Sequence, residues 1–325
     1  MKAAWYETNG EARDVLVVGE METPEPGPGE VRVRLHASGV NPSDVKARRG
    51  RPLSAQRIIP HSDGAGIVDM VGDGVPRSRI GERVWTWNAQ WKRPFGTAAD
   101  HVVLPADQAV FLPDNVDFAA GACLGIPGLT ATHAAGLAGA ALGRTILVTG
   151  AASSVGHYAT QIGTLRGARV IGTASASRAD HARQAGATEV VDYLREDVAA
   201  RVKELTGGKG VDAIIDMDLS STARLIDKGI LAPHGKHVCY GSNVAADIPV
   251  SFPAMLWNSL TLQVFVVYEL LAEEREAATA ALMLMLERDE LSHSIGATFP
   301  LDAIAEAHEA VESGRITGNV VLEMD

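Results

Sequence analysis

The chain of 325 residues holds only two cysteines, Cys123 and Cys239. Two are too few for a disulfide framework or a four-cysteine zinc site, and they read as unpaired core thiols of a reducing compartment, the cytoplasm. Positive charge is also scarce, with 29 Lys and Arg against 40 Asp and Glu. Nucleic-acid affinity comes mostly from clustered Lys and Arg, and no basic run is present, so no nucleic-acid partner is expected. No apolar run approaches the roughly 18 residues that span a bilayer. The opening stretch "MKAAWYETNGEARDV" has neither an apolar run of signal-peptide length nor a small-residue cleavage site, so neither export nor a membrane partner is expected.

What is present points to a globular protein of two domains, since domains usually run about 100 to 200 residues. Residues 1 to about 122 read as strands and turns. In "METPEPGPGEVRVRLHASGV", Pro and Gly precede an alternating run that puts Val31, Val33 and Leu35 on one face. Short strands recur at "GAGIVDMVG", "GERVWTW" and "ADHVVLP". From about Gly125 the rhythm changes. Six apolar runs, "TILVTG", "ARVIGTA", "EVVDY", "VDAIIDM", "GKHVCYG" and "LTLQVFVV", alternate with helical stretches such as "SVGHYATQIGTLRG" and "EDVAARVKELTGG". That alternation predicts a doubly wound parallel sheet, and so an α/β fold beside a β-rich unit. A long helical segment, "ELLAEEREAATAALMLMLERDEL", and a closing helix and strand follow.

The stretch "TILVTGAASSVGHYA" has the three parts of a phosphate-binding turn: a strand, small residues that let the backbone approach an anion, and a helix N-terminus facing it. The G-x-G-x-x-G positions fall on Ala151, Ser153 and Gly156, so only the last glycine is kept. About 20 residues on, an NAD site usually carries an acid that bonds the ribose. Here "VIGTASASRADH" offers Ser175, Ser177 and Arg178, with no acid before Asp180. Hydroxyls followed by a guanidinium suit a 2'-phosphate, which an acid would repel, so the cofactor is read as NADPH. "TGAASSVG" also suits a short-chain dehydrogenase, but Tyr158 is followed four residues later by Ile162 rather than Lys.

Seven motifs in order, "ASGVNPSDVKARRG", "PHSDGAGIVDMVG", "GIPGLTATHA", "VTGAASSVGHYATQIG", "AGATEVVDY", "GGKGVDAIID" and "TGNVVL", make the chain similar to the zinc-independent quinone oxidoreductases. These are the ζ-crystallin-like branch of the medium-chain dehydrogenase/reductase superfamily, and the resemblance covers nearly the whole chain. It implies a GroES-like catalytic domain from residues 1–122 and 268–325, with a Rossmann NADP-binding domain, 123–267, inserted, and the nicotinamide in the cleft between them. Carried over by motif, Asn41 and Thr130 would lie near the nicotinamide, and Ala152, Ser153, Ser154 and Val155 would line the pyrophosphate. Ser175, Arg178 and Tyr193 would meet the 2'-phosphate. Tyr240, Gly241, Ser242, Phe265 and Val267 would flank the nicotinamide side, and Asn319 would add a C-terminal cofactor contact. A homodimer paired along "LTLQVFVV" is also implied.

Zinc-dependent relatives carry Cys where this chain has Asn41, and Gly-His-Glu where it has His61, Ser62 and Asp63. The ligand position is therefore Ser62, Cys123 falls out of register, and no metal is expected. His61 and Asp63 read instead as a hydrogen-bonded loop pair. Without a metal to polarise an alcohol, the expected reaction is hydride transfer to a small quinone or related electron-poor acceptor. Two alternatives are an enoyl or alkenal reductase with the same cofactor and a non-catalytic NADPH-binding protein. Asn41, Asp44 and Thr130 are the polar candidates for catalysis or positioning, and the aromatic segment "VWTWNAQWKRPFG" is a candidate wall of the acceptor pocket.

Overall fold

Apolar runs without alternation must be buried on both faces, and the six such runs form one sheet in a computed structural model that describes residues 1–324. They are β1 (Thr145–Val148), β2 (Arg169–Ala174), β3 (Glu189–Asp192), β4 (Val211–Asp216), β5 (Leu231–Cys239) and β6 (Thr261–Val264). All pairings are parallel, in the order β3-β2-β1-β4-β5-β6. The order reverses between β1 and β4, the switch point where open α/β sheets bind ligands. Leu147, Ile171, Val191 and Ile214 pack with Val202 and Leu225 in the core of this unit. Each buried aliphatic side chain contributes about 1.5–3 kcal/mol. Helices Ser154–Leu165, Ala179–Gln184 and Val198–Leu205 follow β1, β2 and β3 as the alternation predicts. The stretch "TARLIDKGIL" differs, breaking into the short helices Leu219–Thr222 and Arg224–Asp227 before Gly229 turns at φ +63°.

This unit spans Pro127–Ser292. It starts inside the expected limit of 123 but runs past 267, and so takes in the helix Ala272–Glu287. The reason is packing: Ala278, Leu282, Met285 and Leu286 are buried, and the helix lies against the helix Leu129–Ala138 of the same unit. Arg275 also donates to the Val267 carbonyl at 2.7 Å.

The second unit joins Met1–Ile126 to the residues from His293 onward. Its hub is the long strand Glu30–Val40, antiparallel to Asp63–Val71, His101–Pro105 and Asn319–Glu323. The sheet continues through Arg83–Thr86 to Ala109–Phe111 on one side and through Ile295–Pro300 on the other. Val31, Val33 and Leu35 point together into a core with Val68, Val84, Val102 and Leu104, as their alternation predicts. Val320 and Leu322 of the closing strand pack with Ala3, Ala4 and Ile304, so the end of the chain completes this unit. The helix Pro42–Gly50 is an addition to the sequence expectations. No helix among the described residues is long and apolar enough to cross a membrane.

Candidate active site

The turn after β1 is built on two glycines. Gly150 has φ +63°, and its N–H donates to Thr173 Oγ1 at 3.0 Å. A Cβ at Gly156 would lie 2.1 Å from the Gly150 carbonyl oxygen, so only glycine fits there. Ser153 caps the helix Ser154–Leu165, accepting from the Gly156 N–H at 3.1 Å. The left-handed turn thus sits at Gly150, one residue before the Ala151 position expected for the first fingerprint glycine. Ala152 is buried, while Ser153, Ser154 and Val155 are half-buried along the turn and the helix start. The first turn of a helix carries N–H groups outside the helical ladder and the positive end of its dipole.

A cavity of about 530 Å³ opens at the carboxyl ends of the strands, lined by Gly150 after β1, Thr173 of β2, Tyr193 after β3 and Asp218 after β4. Beneath it lies a polar cluster that the sequence reading missed. Asp216 Oδ1 accepts from Thr149 Oγ1 at 2.7 Å, while Oδ2 accepts from Thr222 Oγ1 at 2.6 Å and lies 3.0 Å from His237 Nε2. Burial pushes the Asp216 carboxyl up, but the His237, Thr222 and Thr149 bonds outweigh it and hold it below the usual range. Its only sequence signal was an Asp at the carboxyl end of β4.

At the end of β2, Ser175 Oγ and Ser177 Oγ are 3.2 Å apart, and half-buried Arg178 opens the helix Ala179–Gln184. Asp180, the first acid, is engaged by Arg183 at 2.7 Å. Tyr193, 52% exposed, lines the cavity, whereas Ser175 and Arg178 lie outside its lining. After β5, the Tyr240 hydroxyl is buried, and burial with Asp216 and Cys239 nearby pushes its pKa up against a hydrogen bond with Ser153. The Tyr240 and Phe265 ring centroids are 6.4 Å apart, and His133 meets Phe265 edge-on at 4.8 Å. Thr130 is buried one turn before His133, and Val267 is buried beyond Phe265. The Gly241 carbonyl accepts from the Leu219 N–H at 3.1 Å, and Ser242 Oγ donates to the Val244 carbonyl at 2.8 Å.

In the other unit, Asn41 caps the helix Pro42–Gly50 and touches two buried carboxylates. Its N–H donates to Asp44 Oδ2 at 2.8 Å, and its Nδ2 donates to Asp63 Oδ2 at 2.9 Å. The Ile126 N–H donates to the same Asp63 oxygen at 3.0 Å, while Oδ1 is buried and unpartnered. Burial pushes Asp44 up to about 7, against the Asn41 bonds, and pushes Asp63 up with Asp44 adding repulsion. Asn319 is buried elsewhere, its Nδ2 donating to the Ser294 carbonyl at 3.0 Å.

The residues do not fit a catalytic zinc. Asn41 and Ser62 occupy two of the ligand positions of the zinc-dependent relatives, and Cys123 Sγ donates to the Ala119 carbonyl at 3.3 Å. Burial holds that thiol well above its usual range, the reverse of what a thiolate ligand needs. No cluster of three or more His, Cys, Asp or Glu is arranged to hold a metal among the described residues.

His61 corrects the expected pairing with Asp63. Its Nδ1 lies 2.9 Å from Ser38 Oγ and its Nε2 lies 2.9 Å from His308 Nε2, both buried. The link to Asp63 runs through Thr97, whose hydroxyl is 2.8 Å from Ser38 Oγ and donates to the Asp63 carbonyl at 2.6 Å. His61 also holds φ +76°, a left-handed conformation that costs residues other than glycine about 1–2 kcal/mol.

Comparison with known proteins agrees with this geometry. Residues 27–114 match the family described as "Alcohol dehydrogenase GroES-like domain", and residues 154–285 match "Zinc-binding dehydrogenase". A quinone oxidoreductase of Pseudomonas aeruginosa is 34% identical over 318 residues, covering 95% of each chain. A 2-haloacrylate reductase of Burkholderia is 31% identical, again covering 95% of each. The Escherichia coli quinone oxidoreductase solved in complex with NADPH matches at a TM-score of 0.88 with 27% identity, covering 99% of this chain and 100% of that one. The two folds define an oxidoreductase of the medium-chain dehydrogenase/reductase type. Within that class the chain belongs to the quinone oxidoreductase family, the ζ-crystallin-like branch.

The histidine pair predicts how stability depends on pH. Burial and the neighbouring His308 hold His61 well below 6.5, and burial with Arg48 nearby lowers His308 to about 3. Below pH 6.5 the unfolded chain binds protons that the folded chain refuses, so this contribution is full above pH 6.5 and is lost as pH falls. Between pH 7.5 and 5, one such histidine costs about 2 kcal/mol, at about 1.4 per pH unit below 6.5. His61→Gly, which also suits the left-handed backbone, should reduce the pH 7.5-to-5 stability loss by about that amount in urea unfolding. An unchanged loss would contradict the assignment.

Proposed function

We propose that this chain is an NADPH-dependent reductase that delivers hydride to a quinone or related electron-poor acceptor without a catalytic metal. The observation that carries the reading is the end of β2, where Ser175 and Ser177 hydroxyls precede Arg178 and the first acid, Asp180, is already paired with Arg183. The turn fits a dinucleotide: glycine is required at 156 by the close backbone approach, and Ser153 caps the helix that starts there. Ala152, Ser153, Ser154 and Val155 would hold the pyrophosphate, and Ser175, Arg178 and Tyr193 the 2'-phosphate. Thr130, Tyr240, Gly241, Ser242, Phe265 and Val267 would surround the nicotinamide. When bound, NADPH supplies the hydride.

The residues of the chain orient the reactants and exclude water. Asn41, held by Asp44 and Asp63, is assigned a positioning role, because both its backbone and side-chain N–H groups are already engaged. The Asn319 amide is likewise engaged by Ser294, which favours a structural role over the cofactor contact read from its motif. A second reading, reduction of an activated C=C bond, is supported by the 2-haloacrylate reductase among the relatives. We also read the protein as a cytoplasmic homodimer. Both cysteines are free and buried, which suits a reducing compartment. β6 is an edge strand with Val264 63% exposed, and nearby Phe252, Leu256 and Trp257 are exposed apolar side chains.

Steady-state assays with 1,2-naphthoquinone, 9,10-phenanthrenequinone and small enones should show turnover with NADPH preferred over NADH. Arg178→Ala should raise the KM for NADPH by about tenfold, the scale of a lost charge-assisted bond, while leaving NADH kinetics nearly unchanged. Preference for NADH would refute the cofactor assignment, and tight NADPH binding without turnover of any acceptor would refute the enzymatic one. Light scattering should give a dimeric mass that Val264→Asp reduces, and a monomeric wild type would remove the dimer.

A further inference from the structure

The helix Pro42–Gly50 ends at Arg51, beside a cavity of about 230 Å³ walled by Tyr6, Ala47, Leu53, Ile58 and Trp91. Its lining is mostly apolar, and it is smaller than the roughly 300–1,000 Å³ of sites for drug-sized ligands, so it suits one or two fused rings. The Arg51 guanidinium lies over the Trp91 indole, 5.0 Å from the ring centroid. The Asn9 amide fixes the backbone beneath it, donating to the Ala47, Arg48 and Arg51 carbonyls at 3.1, 2.9 and 3.1 Å.

Arg51 differs from the arginines around it. Arg48 pairs with Glu312, Arg49 with Glu11 at 2.7 Å and Arg57 with Glu7 at 2.8 Å. Arg51 has no ion pair among the described residues, although it opens on an apolar cavity where a cation gains from a partner. The carboxyl whose field it feels is Asp44, which burial pushes up to about 7 and so leaves only partly ionised near neutral pH. Lys92 also lines the cavity, its Nζ 5.8 Å from the same indole centroid, so an aromatic wall, a guanidinium without an ion pair at its rim and a small apolar floor together form a receptor for a flat, conjugated anion.

We propose that this cavity admits acceptors carrying an anionic group on a conjugated frame, with the frame against Trp91 and the anion paired with Arg51. As an acceptor site it rests on the reductase reading above, so the test separates binding from turnover. Calorimetry on the full-length wild type should give 2-naphthoate an affinity roughly fivefold to tenfold above that of the isosteric 2-naphthamide. Arg51→Met should abolish that preference and Arg51→Lys should restore part of it. In turnover, the ratio of kcat/KM for 1,2-naphthoquinone-4-sulfonate over 1,2-naphthoquinone should fall by a similar factor in Arg51→Met, with the change carried by KM. Equal affinity for naphthoate and naphthamide in the wild type, or a preference that survives Arg51→Met, would overturn the proposal. An Arg51-dependent preference for naphthoate without reduction of either quinone would uphold the anion pocket and overturn the reductase reading instead.

Discussion

Gly156 carries no side chain because the Gly150 carbonyl oxygen occupies the place where a Cβ would stand, at 2.1 Å. That approach pulls the start of the helix Ser154–Leu165 against the end of β1, which lets Ser153 cap the helix and directs its positive end at the mouth of the sheet. The remaining features of the nucleotide-type unit depend on this turn. Thr173 of β2 holds the Gly150 N–H, and Asp216 of β4 holds Thr149. Three adjacent strands therefore meet at one tight corner, and the cavity opens beside it.

The other unit is organised around buried polar groups rather than a turn. Asn41 satisfies one oxygen each of Asp44 and Asp63, and the Ile126 N–H adds a second bond to Asp63. Leaving a buried partner unsatisfied costs about 1–3 kcal/mol, so these side chains constrain one another even though neither carboxyl is held in its usual ionisation range. In the same unit an amide, Asn41, and a hydroxyl, Ser62, stand where the zinc-dependent relatives carry two ligands, and burial holds the Cys123 thiol well above its usual range. The histidine pair adds a second dry network behind them, from Thr97 through Ser38 and His61 to His308.

Much of the fold was legible because strong local patterns agreed with tertiary packing. The six mainly apolar runs alternating with helices pointed to a parallel sheet between helical layers, and Val31, Val33 and Leu35 alternated toward a single core. Other features depend on contacts far apart in sequence. His61 and His308 are 247 residues apart, and nothing local announces their meeting. The helix Ala272–Glu287 was legible as a helix, but its membership of the nucleotide-type unit was set by packing against Leu129–Ala138. The close backbone approach at Gly156 falls where the spacing kept the last fingerprint glycine, while φ +63° at Gly150 could not be read from the spacing. The helix Pro42–Gly50 had a local signal, Asn41 before a proline and an acid three residues on, that strand patterning around it obscured.

The corner after β1 and the hydroxyl-and-arginine end of β2 would together recognise a dinucleotide with a 2'-phosphate. Calorimetric titration with adenosine 2',5'-bisphosphate and with adenosine 5'-monophosphate tests it without any acceptor or turnover. The bisphosphate should bind about tenfold or more tightly than the monophosphate, the scale of one well-placed charge-assisted pair. Equal affinity for the two, or tighter binding of the monophosphate, would contradict it.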